Sequence, residues 1–379
     1  MPIRVLLVED SPVALTVLTK ILKQSPDIEV VGAASTGVEA LALIPQKQPQ
    51  VICTDLHMPH MDGLALTTEI MARFPAPILV ISVSVQPDDT QQVFRLLEAG
   101  AVDVFPKPVA GLSAESLSLN AALIEKIKIL AGVRVFKKKR SPPLNVSPLA
   151  ASPLTASPVG VPSSPIPPLN LSKLAQDGSP IKPRKRPKII AIGASTGGPT
   201  ALHTLLRQLP KQLPPMICVQ HIGAGFLQGL VDWLQTDCTL RLQIAKAGEQ
   251  PQPGNVYFSL EQQHLLIDDR GRFAYCDWPL VDGHRPSITV AFQSVAEYYG
   301  AQSVGILLTG MGRDGAVGLK AIADAGGVTL AQDEATSVVF GMPKVALELG
   351  AVEQVLPIEA IAPTLLQHLK PFAPSTASQ

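Results

Sequence analysis

Short apolar runs alternate with helix-like apolar patterns in the first 130 residues of the chain. The apolar runs predict strands at residues 3–8, 28–33, 51–54, 78–81 and 102–105. Apolar positions at helical spacing predict helices at residues 12–24, 37–44, 90–99 and 115–130. Alternating strands and helices are typical of a parallel sheet that is covered on both faces. Residues 1–130 are therefore expected to form one α/β domain.

The same alternation returns near residue 188 and continues to the C-terminal region. Predicted strands lie at residues 189–192, 216–220, 255–259, 264–267, 303–309 and 328–331. Predicted helices lie at residues 199–208, 228–235, 288–299 and 317–325. A second α/β domain with a doubly wound parallel sheet is therefore expected over residues 188–370.

Residues 131–187 read as a linker between these two domains. Residues 141–187 hold 12 of the chain's 36 prolines, many of them in Ser-Pro pairs. Proline lacks a backbone donor and restricts the residue before it, so this segment cannot build a helix or a sheet ladder. Basic runs at residues 137–140 and 184–186 are better explained as solvated linker ends than as a docking site.

The charge balance and the cysteine content of the chain disfavour several classes of function. Thirty-one basic residues balance 31 acidic ones, and this balance argues against nucleic-acid binding, which favours a basic face. No CxxC pair occurs, so core thiols are a better interpretation than zinc or redox sites for Cys53, Cys218, Cys238 and Cys276. The sequence shows no signal peptide and no apolar run of transmembrane length. A cytoplasmic protein without direct membrane insertion is expected, and a monomer is the default.

Acidic and other polar residues follow the predicted strands of the first domain. Glu9 and Asp10 follow the first strand, Asp55 the third, Ser82 the fourth, and Lys107 lies just after the last. Functional residues of parallel sheets collect at the carboxyl ends of strands. Three carboxylates that meet there repel each other unless a cation joins them, and oxygen ligands favour Mg²⁺. Each carboxylate alone could equally be a turn or cap residue.

These residues resemble the receiver domain of bacterial two-component response regulators, which has a flavodoxin-like fold. The resemblance covers about residues 3–130 and rests on the segments 8–11, 55–63, 82 and 105–108. It implies that a chemotaxis-type histidine kinase is the partner that phosphorylates Asp55, with Ser82 sensing the phosphoryl group and Lys107 pairing with it. The implied Mg²⁺ ligands are Glu9, Asp10, Asp55 and the His57 carbonyl.

A glycine-rich turn that contains Ser195 follows the first strand of the second domain. Residues 193–197 match the G-x-S-x-G pattern of nucleophile elbows, and the following helix start would place amides near developing negative charge. A dinucleotide-binding loop is the alternative. Ser195 weakens it, because it stands where close approach of a pyrophosphate requires glycine.

A serine nucleophile needs a base and an orienting acid. His221 follows the strand at 216–220, and Asp314 lies in the glycine-rich loop after the strand at 303–309. Both are expected at the same edge of the sheet as Ser195. A lone histidine is usually structural, and that interpretation applies to His203, His264 and His284. The order Ser, His, Asp also differs from that of the α/β-hydrolases.

Residues 188 to about 366 resemble the catalytic domain of the chemotaxis protein-glutamate methylesterases (CheB type). The matching segments are residues 192–198, 220–221, 307–316 and 331–343. The resemblance implies Ser195 as nucleophile, His221 as base and then acid, Asp314 as orienting carboxylate, and the Met311 amide in an oxyanion hole. It implies hydrolysis of glutamate γ-methyl esters on methyl-accepting chemoreceptors and deamidation of receptor glutamines, without a cofactor in this domain.

Two other functional classes remain open from the residues alone. A signalling adaptor with an inactive second domain is disfavoured by the intact Ser195, His221 and Asp314. A transcriptional output is disfavoured because no helix-turn-helix with a basic face follows the linker. A receiver on the same chain further suggests that it covers the active site until Asp55 is phosphorylated, as a shift between docked and undocked states.

Overall fold

The structure is a computed structural model of the 379-residue chain. It describes residues 1–82, 87–108, 113–133, 135 and 185–369, with only the backbone described for 87–91, 114 and 115. The predicted linker, 131–187, falls mostly outside these ranges. The described residues before the linker and those from 185 to 369 form one unit by their contacts.

The N-terminal half contains a five-stranded parallel sheet in the order β2-β1-β3-β4-β5. Its strands are β1 (Ile3–Val8), β2 (Ile28–Ala34), β3 (Val51–Thr54), β4 (Ile78–Ser82) and β5 (Asp103–Pro106). Its helices are α1 (Pro12–Leu22), α2 (Gly37–Lys47), α3 (Gly63–Arg73), α4 (Pro87–Ala99) and α5 (Ala114–Leu130). The predicted α/β fold is confirmed, and α3 is an element that the apolar pattern does not predict.

Side-chain caps begin four of these helices, among them α5, where Ser113 accepts a hydrogen bond from the amide of Ser116. Ser11 accepts a hydrogen bond from the amide of Ala14 at α1, and Thr36 accepts one from Glu39 at α2. Asp62 caps α3 in the same way, through the amide of Ala65. Such caps satisfy backbone donors that have no partner inside the helix, so each helix starts directly after a strand-end loop.

The C-terminal half contains a seven-stranded sheet in the order β14-β13-β12-β6-β7-β9-β8. Every neighbouring pair in it is parallel. Its strands are β6 (Ile189–Ala194), β7 (Met216–Gln220), β8 (Arg241–Ile244), β9 (Asn255–Phe258), β12 (Ser303–Leu307), β13 (Val328–Gln332) and β14 (Gln354–Leu356). The central strands β6, β7 and β12 are completely buried, as their continuous apolar runs predict.

Helices cover both faces of this sheet, and a small hairpin lies outside it. The helices are α6 (Gly198–Leu206), α7 (Leu227–Gln235), α8 (Ile288–Tyr299), α9 (Ala316–Asp324), α10 (Met342–Glu348) and α11 (Ile358–Leu369). The hairpin pairs β10 (His264–Ile267) with β11 (Phe273–Cys276) in antiparallel fashion. The pattern predicts neither β8, β11 and β14 nor α10 and α11, and it extends the strand at 303–309 two residues too far.

The two halves meet where α4 packs against α7. The rings of Phe94 and Trp233 stack at a centroid distance of 5.3 Å. The indole N–H of Trp233 donates a hydrogen bond to a carboxylate oxygen of Glu98 at 2.8 Å. This contact combines apolar burial with a directional polar bond, so it fixes how α4 meets α7 in this state.

Candidate active site and acidic pocket

Ser195 occupies a sharp turn between β6 and α6. Its amide donates to the carbonyl of Thr309 at 3.0 Å, which ties the turn to the loop after β12. Gly197 adopts a positive φ of 76°, and a Cβ on Gly198 would collide with the side chain of Gln220. Both positions therefore require glycine. The Ser195 side chain is consequently held at the strand end, with the residue only 6% exposed.

The three residues predicted to act together follow three neighbouring strands. In the order β12-β6-β7, Asp314 follows β12, Ser195 follows β6 and His221 follows β7. The amide of His221 donates to the carbonyl of Ala194 at 3.0 Å, directly before the serine. Nε2 of His221 lies 3.0 Å from Oδ2 of Asp314. The strand order reverses between β6 and β12, which is where open parallel sheets bind ligands.

Asp314 is completely buried and is fixed by the start of α8. Its carboxylate accepts hydrogen bonds from Ser287 Oγ (2.7 Å), Ile288 N (2.8 Å), Thr289 N (2.9 Å) and Gly315 N (2.9 Å). Burial alone would raise the pKa of Asp314, but the neighbouring His221 and these donors outweigh it and lower that pKa. The carboxylate is therefore ionised and immobile beside His221.

The imidazole of His221 is held by Asp314 and by a second imidazole ring. Nε2 lies 3.0 Å from Oδ2 of Asp314, and Nδ1 has no hydrogen-bond partner among the described residues. The ring of His284 stacks on it at a centroid distance of 3.8 Å and an interplanar angle of 11°. Burial, then the charge of His221, lowers the pKa of His284 to about 4. His284 is therefore a neutral ring against His221 at neutral pH.

The loop after β12 brings the Gly310–Met311 peptide against the nucleophile. A Cβ on Gly310 would lie 2.6 Å from Cβ of Ser195, so only glycine allows this approach. The carbonyl of Gly310 accepts from the amides of Gly341 and Met342 at 3.1 and 2.9 Å. These bonds fix the peptide whose N–H the family resemblance implies as an oxyanion donor.

An acidic pocket lies at the carboxyl edge of the N-terminal sheet. One oxygen each of Glu9, Asp10 and Asp55 lies within 4.8 Å of the others. Nζ of Lys107 lies 2.6 Å from Asp55 Oδ2 and 2.9 Å from Glu9 Oε2. Burial raises the pKa of Glu9, and the charge of Asp55 adds to this while Lys107 opposes it. Clustered carboxylates of this kind suit a hard divalent cation such as Mg²⁺.

The remaining predicted residues of this pocket lie on the same edge. Ser82 is buried at the end of β4, and its carbonyl accepts from the amide of Lys107 at 2.9 Å. Burial lowers the pKa of Lys107, but the bonds to Asp55 and Glu9 outweigh this effect and raise it. His57 lies in the loop between β3 and α3 with an exposed side chain.

The N-terminal half also contacts the loops around Ser195. Nζ of Lys126, on α5, donates to Asp103 at 2.7 Å and to the hydroxyl of Thr196 at 3.0 Å. A Cβ on Gly223, two residues after His221, would lie 2.7 Å from the ring of Pro106 at the end of β5. The end of β5 therefore lies against the loop after His221, and α5 contacts the turn that holds Ser195.

Sequence reasoning misses three groups at this site. His284 is grouped with the structural histidines, and neither Ser287 nor Lys126 is singled out. A signal for Ser287 exists, because a serine directly before a predicted helix favours an N-cap. The stack of His284 and the reach of Lys126 depend on long-range packing and have no local signal.

The fold and these sites define the class of the protein. The C-terminal half is that of a serine-type hydrolase, and it is joined to an N-terminal half with an acidic pocket like that of a receiver domain. Family models agree with this division. Residues 5–114 match the response regulator receiver domain, and residues 190–365 match CheB methylesterase.

Curated relatives extend the match over nearly the whole chain. A protein-glutamate methylesterase/protein-glutamine glutaminase of Syntrophus aciditrophicus is 37% identical, covering 98% of this chain and 100% of its own. One from Nitrosospira multiformis is 38% identical, covering 96% of each. The chain therefore belongs to the family of protein-glutamate methylesterase/protein-glutamine glutaminases. The expected family, enzyme class and two-part α/β fold are confirmed.

A solved structure, the catalytic domain of Thermotoga maritima CheB methylesterase, is 35% identical. It covers 48% of this chain and 99% of its own, with a TM-score of 0.47. Among the helices of the described ranges, none combines the length and apolar character that a membrane span requires.

Proposed function

We propose that this chain hydrolyses glutamate γ-methyl esters on methyl-accepting chemoreceptors, releasing methanol, and also deamidates receptor glutamines. The reaction would reset receptor sensitivity during chemosensory adaptation. The main support is the placement of Ser195, His221 and Asp314 at the ends of three adjacent strands. Family membership supports the substrate class, because the relatives are named for these two activities.

Ser195 Oγ attacks the ester carbonyl carbon while His221 takes the hydroxyl proton. The tetrahedral intermediate collapses, the C–O bond to methoxide breaks, and His221 returns the proton so that methanol leaves. A water then attacks the acyl-enzyme by the same route, freeing Ser195 and leaving a γ-carboxylate. With a glutamine side chain, ammonia is the leaving group instead.

Two neighbours support this chemistry. Asp314, anchored by the amides of α8, stabilises the imidazolium that forms on His221. Nε2 of His221 lies 3.0 Å from Oδ2 of Asp314, so the carboxylate stands directly beside the ring that takes the proton. The Met311 amide is assigned to the oxyanion, because Gly310 packs directly against Ser195.

The N-terminal domain is assigned as the phosphorylation switch, with a histidine kinase as its phosphodonor. Asp55 accepts the phosphoryl group, Lys107 pairs with it and Ser82 contacts it through its hydroxyl. The assigned Mg²⁺ ligands are Glu9, Asp10, Asp55 and the His57 carbonyl. An ion held by these residues would supply positive charge beside the phosphoryl oxygens. Support comes from the three clustered carboxylates, with Lys107 already bonded to Asp55.

We assign the boundaries as a receiver at 1–130, a linker at 131–187 and a catalytic domain at 188–370. In the unphosphorylated state the receiver restricts the site, and phosphorylation of Asp55 releases it. Support comes from Lys126, whose ammonium bonds the hydroxyl of Thr196 beside the nucleophile. Pro106, next to Lys107, also touches Gly223 after the catalytic histidine. Asp55 is thus linked to the active-site loops by two successive contacts: it is bonded to Lys107, and the neighbouring Pro106 lies against Gly223.

Methanol release from a methylated receptor tests the proposal. Wild-type protein is expected to release methanol and Ser195→Ala is not. Release by neither protein, with the fold of both intact by circular dichroism, would favour the signalling adaptor. Equal release by both would show that another group is the nucleophile.

A further inference from the structure

Thr309 lies where three segments of the active site meet. It follows β12 by two residues, directly precedes the Gly310–Met311 peptide and is only 1% exposed. Its carbonyl accepts the amide of Ser195 at 3.0 Å, so its backbone is already bonded to the turn of the nucleophile. Its side chain makes further bonds that the chemistry of the ester does not use directly.

The hydroxyl of Thr309 joins the turn of the nucleophile to the loop after β13. Its Oγ1 donates to the carbonyl of Thr196 at 3.0 Å and accepts from the amide of Val339 at 3.0 Å. The carbonyl of Val339 lies 3.3 Å away, but a hydroxyl has a single proton and the Thr196 carbonyl is nearer. One buried side chain therefore holds two backbone segments that are far apart in the sequence.

The backbone of Thr309 is also fixed from the side of β13. Its amide donates to Oε1 of Gln332 at 2.9 Å. Gln332 is 1% exposed, and its Nε2 donates to the carbonyl of Thr336 at 2.8 Å. A buried polar network whose members are all bonded is rigid, so Thr309 has a defined position against which other groups can be held.

The loop that Thr309 bonds is the one that holds the peptide of the assigned oxyanion donor. The carbonyl of Val339 accepts from the amide of Gly310 at 3.0 Å, and the carbonyl of Gly310 accepts from the amides of Gly341 and Met342. The position of the Met311 amide relative to the nucleophile thus depends on how firmly this loop is joined to the turn of Ser195. The hydroxyl of Thr309 bonds both.

The methyl group of Thr309 packs against the same turn. A Cβ on Gly197 would lie 3.3 Å from Cγ2 of Thr309. Because threonine is branched at Cβ, its χ1 is restricted, and the methyl contact and the hydroxyl bonds are set together. The packing and the bonding of this side chain can be separated by substitutions that keep one and remove the other.

Resting on the proposed function, we propose that Thr309 is a positioning residue for ester cleavage, whose hydroxyl sets the spacing between Ser195 and the Met311 amide. It acts through the backbone of Thr196 and Val339 and does not touch the substrate. A fixed donor stabilises an oxyanion only when it lies about 2.7–3.1 Å from that oxygen. A looser spacing therefore lowers kcat and leaves substrate binding unchanged.

The test compares wild type with Thr309→Val, Thr309→Ser and Thr329→Val. Valine keeps the shape of threonine without the hydroxyl, and serine keeps the hydroxyl without the methyl group. Thr329 is the matched control, because it is 2% exposed on the neighbouring strand β13 and its hydroxyl accepts the amide of Glu353 at 3.0 Å. Each valine variant thus loses a buried hydroxyl from the same sheet, but only Thr309 contacts the turn of the nucleophile.

The assay is steady-state methanol release from a methylated receptor. Thr309→Val is expected to lower kcat roughly 10- to 100-fold, below the loss of about 10²–10³ that follows removal of an oxyanion donor itself, with KM unchanged. Thr309→Ser should keep most of the wild-type kcat, and Thr329→Val should keep both parameters. If Thr309→Val does not fold, Thr309→Cys replaces it; its thiol bonds weakly, so an intermediate kcat is expected and a wild-type kcat would overturn the proposal.

Four results would overturn the positioning role. They are a wild-type kcat in Thr309→Val, an equal loss in Thr329→Val, an equal loss in Thr309→Ser, and a rise in KM with kcat unchanged. The third result would assign the effect to the methyl packing, and the fourth would make Thr309 a substrate-binding residue.

Failure of the proposed function has a different signature, since wild type would then release no methanol from the receptor. The rate at which phenylmethylsulfonyl fluoride modifies Ser195, with loss of fluoride and read by intact mass, would still test Thr309. Slower modification in Thr309→Val than in wild type and Thr329→Val would uphold the positioning role, and equal rates would overturn it.

Discussion

Replacing His284 by alanine removes the ring that stacks on His221 at 3.8 Å. In the described part of the chain, the plane of the His221 ring is constrained by this stack together with the 3.0 Å contact between Nε2 and Oδ2 of Asp314. An aromatic pair contributes about 0.5–1.5 kcal/mol beyond its buried area. At about 1.4 kcal/mol per factor of ten, kcat is expected to fall roughly 2- to 12-fold.

The assay is steady-state methanol release from a methylated receptor by wild type, His284→Ala and His284→Phe. Phenylalanine keeps a flat ring against His221 and is expected to retain most of the wild-type kcat. KM should change little in either variant, because His284 positions the base and does not bind the receptor. Wild-type kcat in His284→Ala would refute the positioning role, and an equal loss in both variants would refute the stack as its cause.

Other predictions concern the contact between halves, the stability and the turn geometry. Lys126→Ala should raise methanol release by the unphosphorylated protein several-fold, because the lost hydrogen bond to Thr196 contributes about 1 kcal/mol to the contact between the halves. Lys128→Ala, on the same helix, should leave methanol release unchanged. The folded protein keeps His284 neutral down to about pH 4, whereas the unfolded chain binds a proton near 6.5. Urea unfolding should therefore show stability falling from pH 6.5 towards 4, less steeply in His284→Phe. Gly310→Ala should abolish methanol release while the protein still folds, because the added Cβ displaces Ser195.

Strand positions and the edge of the sheet where the sites lie could be predicted from the sequence. Buried parallel strands are continuous apolar runs, so 51–54 and 216–220 stand out, and the polar residue after each run marks the carboxyl edge. Asp55 and His221 are found in this way. Short, partly exposed edge strands carry no such signal, which is why Arg241–Ile244 and Gln354–Leu356 are not predicted.

Other parts of the site depend on contacts between distant segments. His284 is 63 residues after His221 in the numbering, and only the path of the loop after β11 brings the rings together. Lys126 reaches Thr196 across the predicted linker. Residue types and spacing do not encode either contact. The helix Gly63–Arg73 is different, because its cap at Asp62 is a local signal that the apolar pattern alone passes over.

The central claim is that Ser195 performs the hydrolysis and that phosphorylation of Asp55 releases it. The most direct measurement is the rate of methanol release from a methylated receptor with and without a small phosphodonor and Mg²⁺. Wild type should accelerate with phosphodonor, Asp55→Asn should keep its basal rate in both conditions, and Ser195→Ala should release nothing in either. An equal acceleration in Asp55→Asn, or methanol release by Ser195→Ala, would contradict the claim.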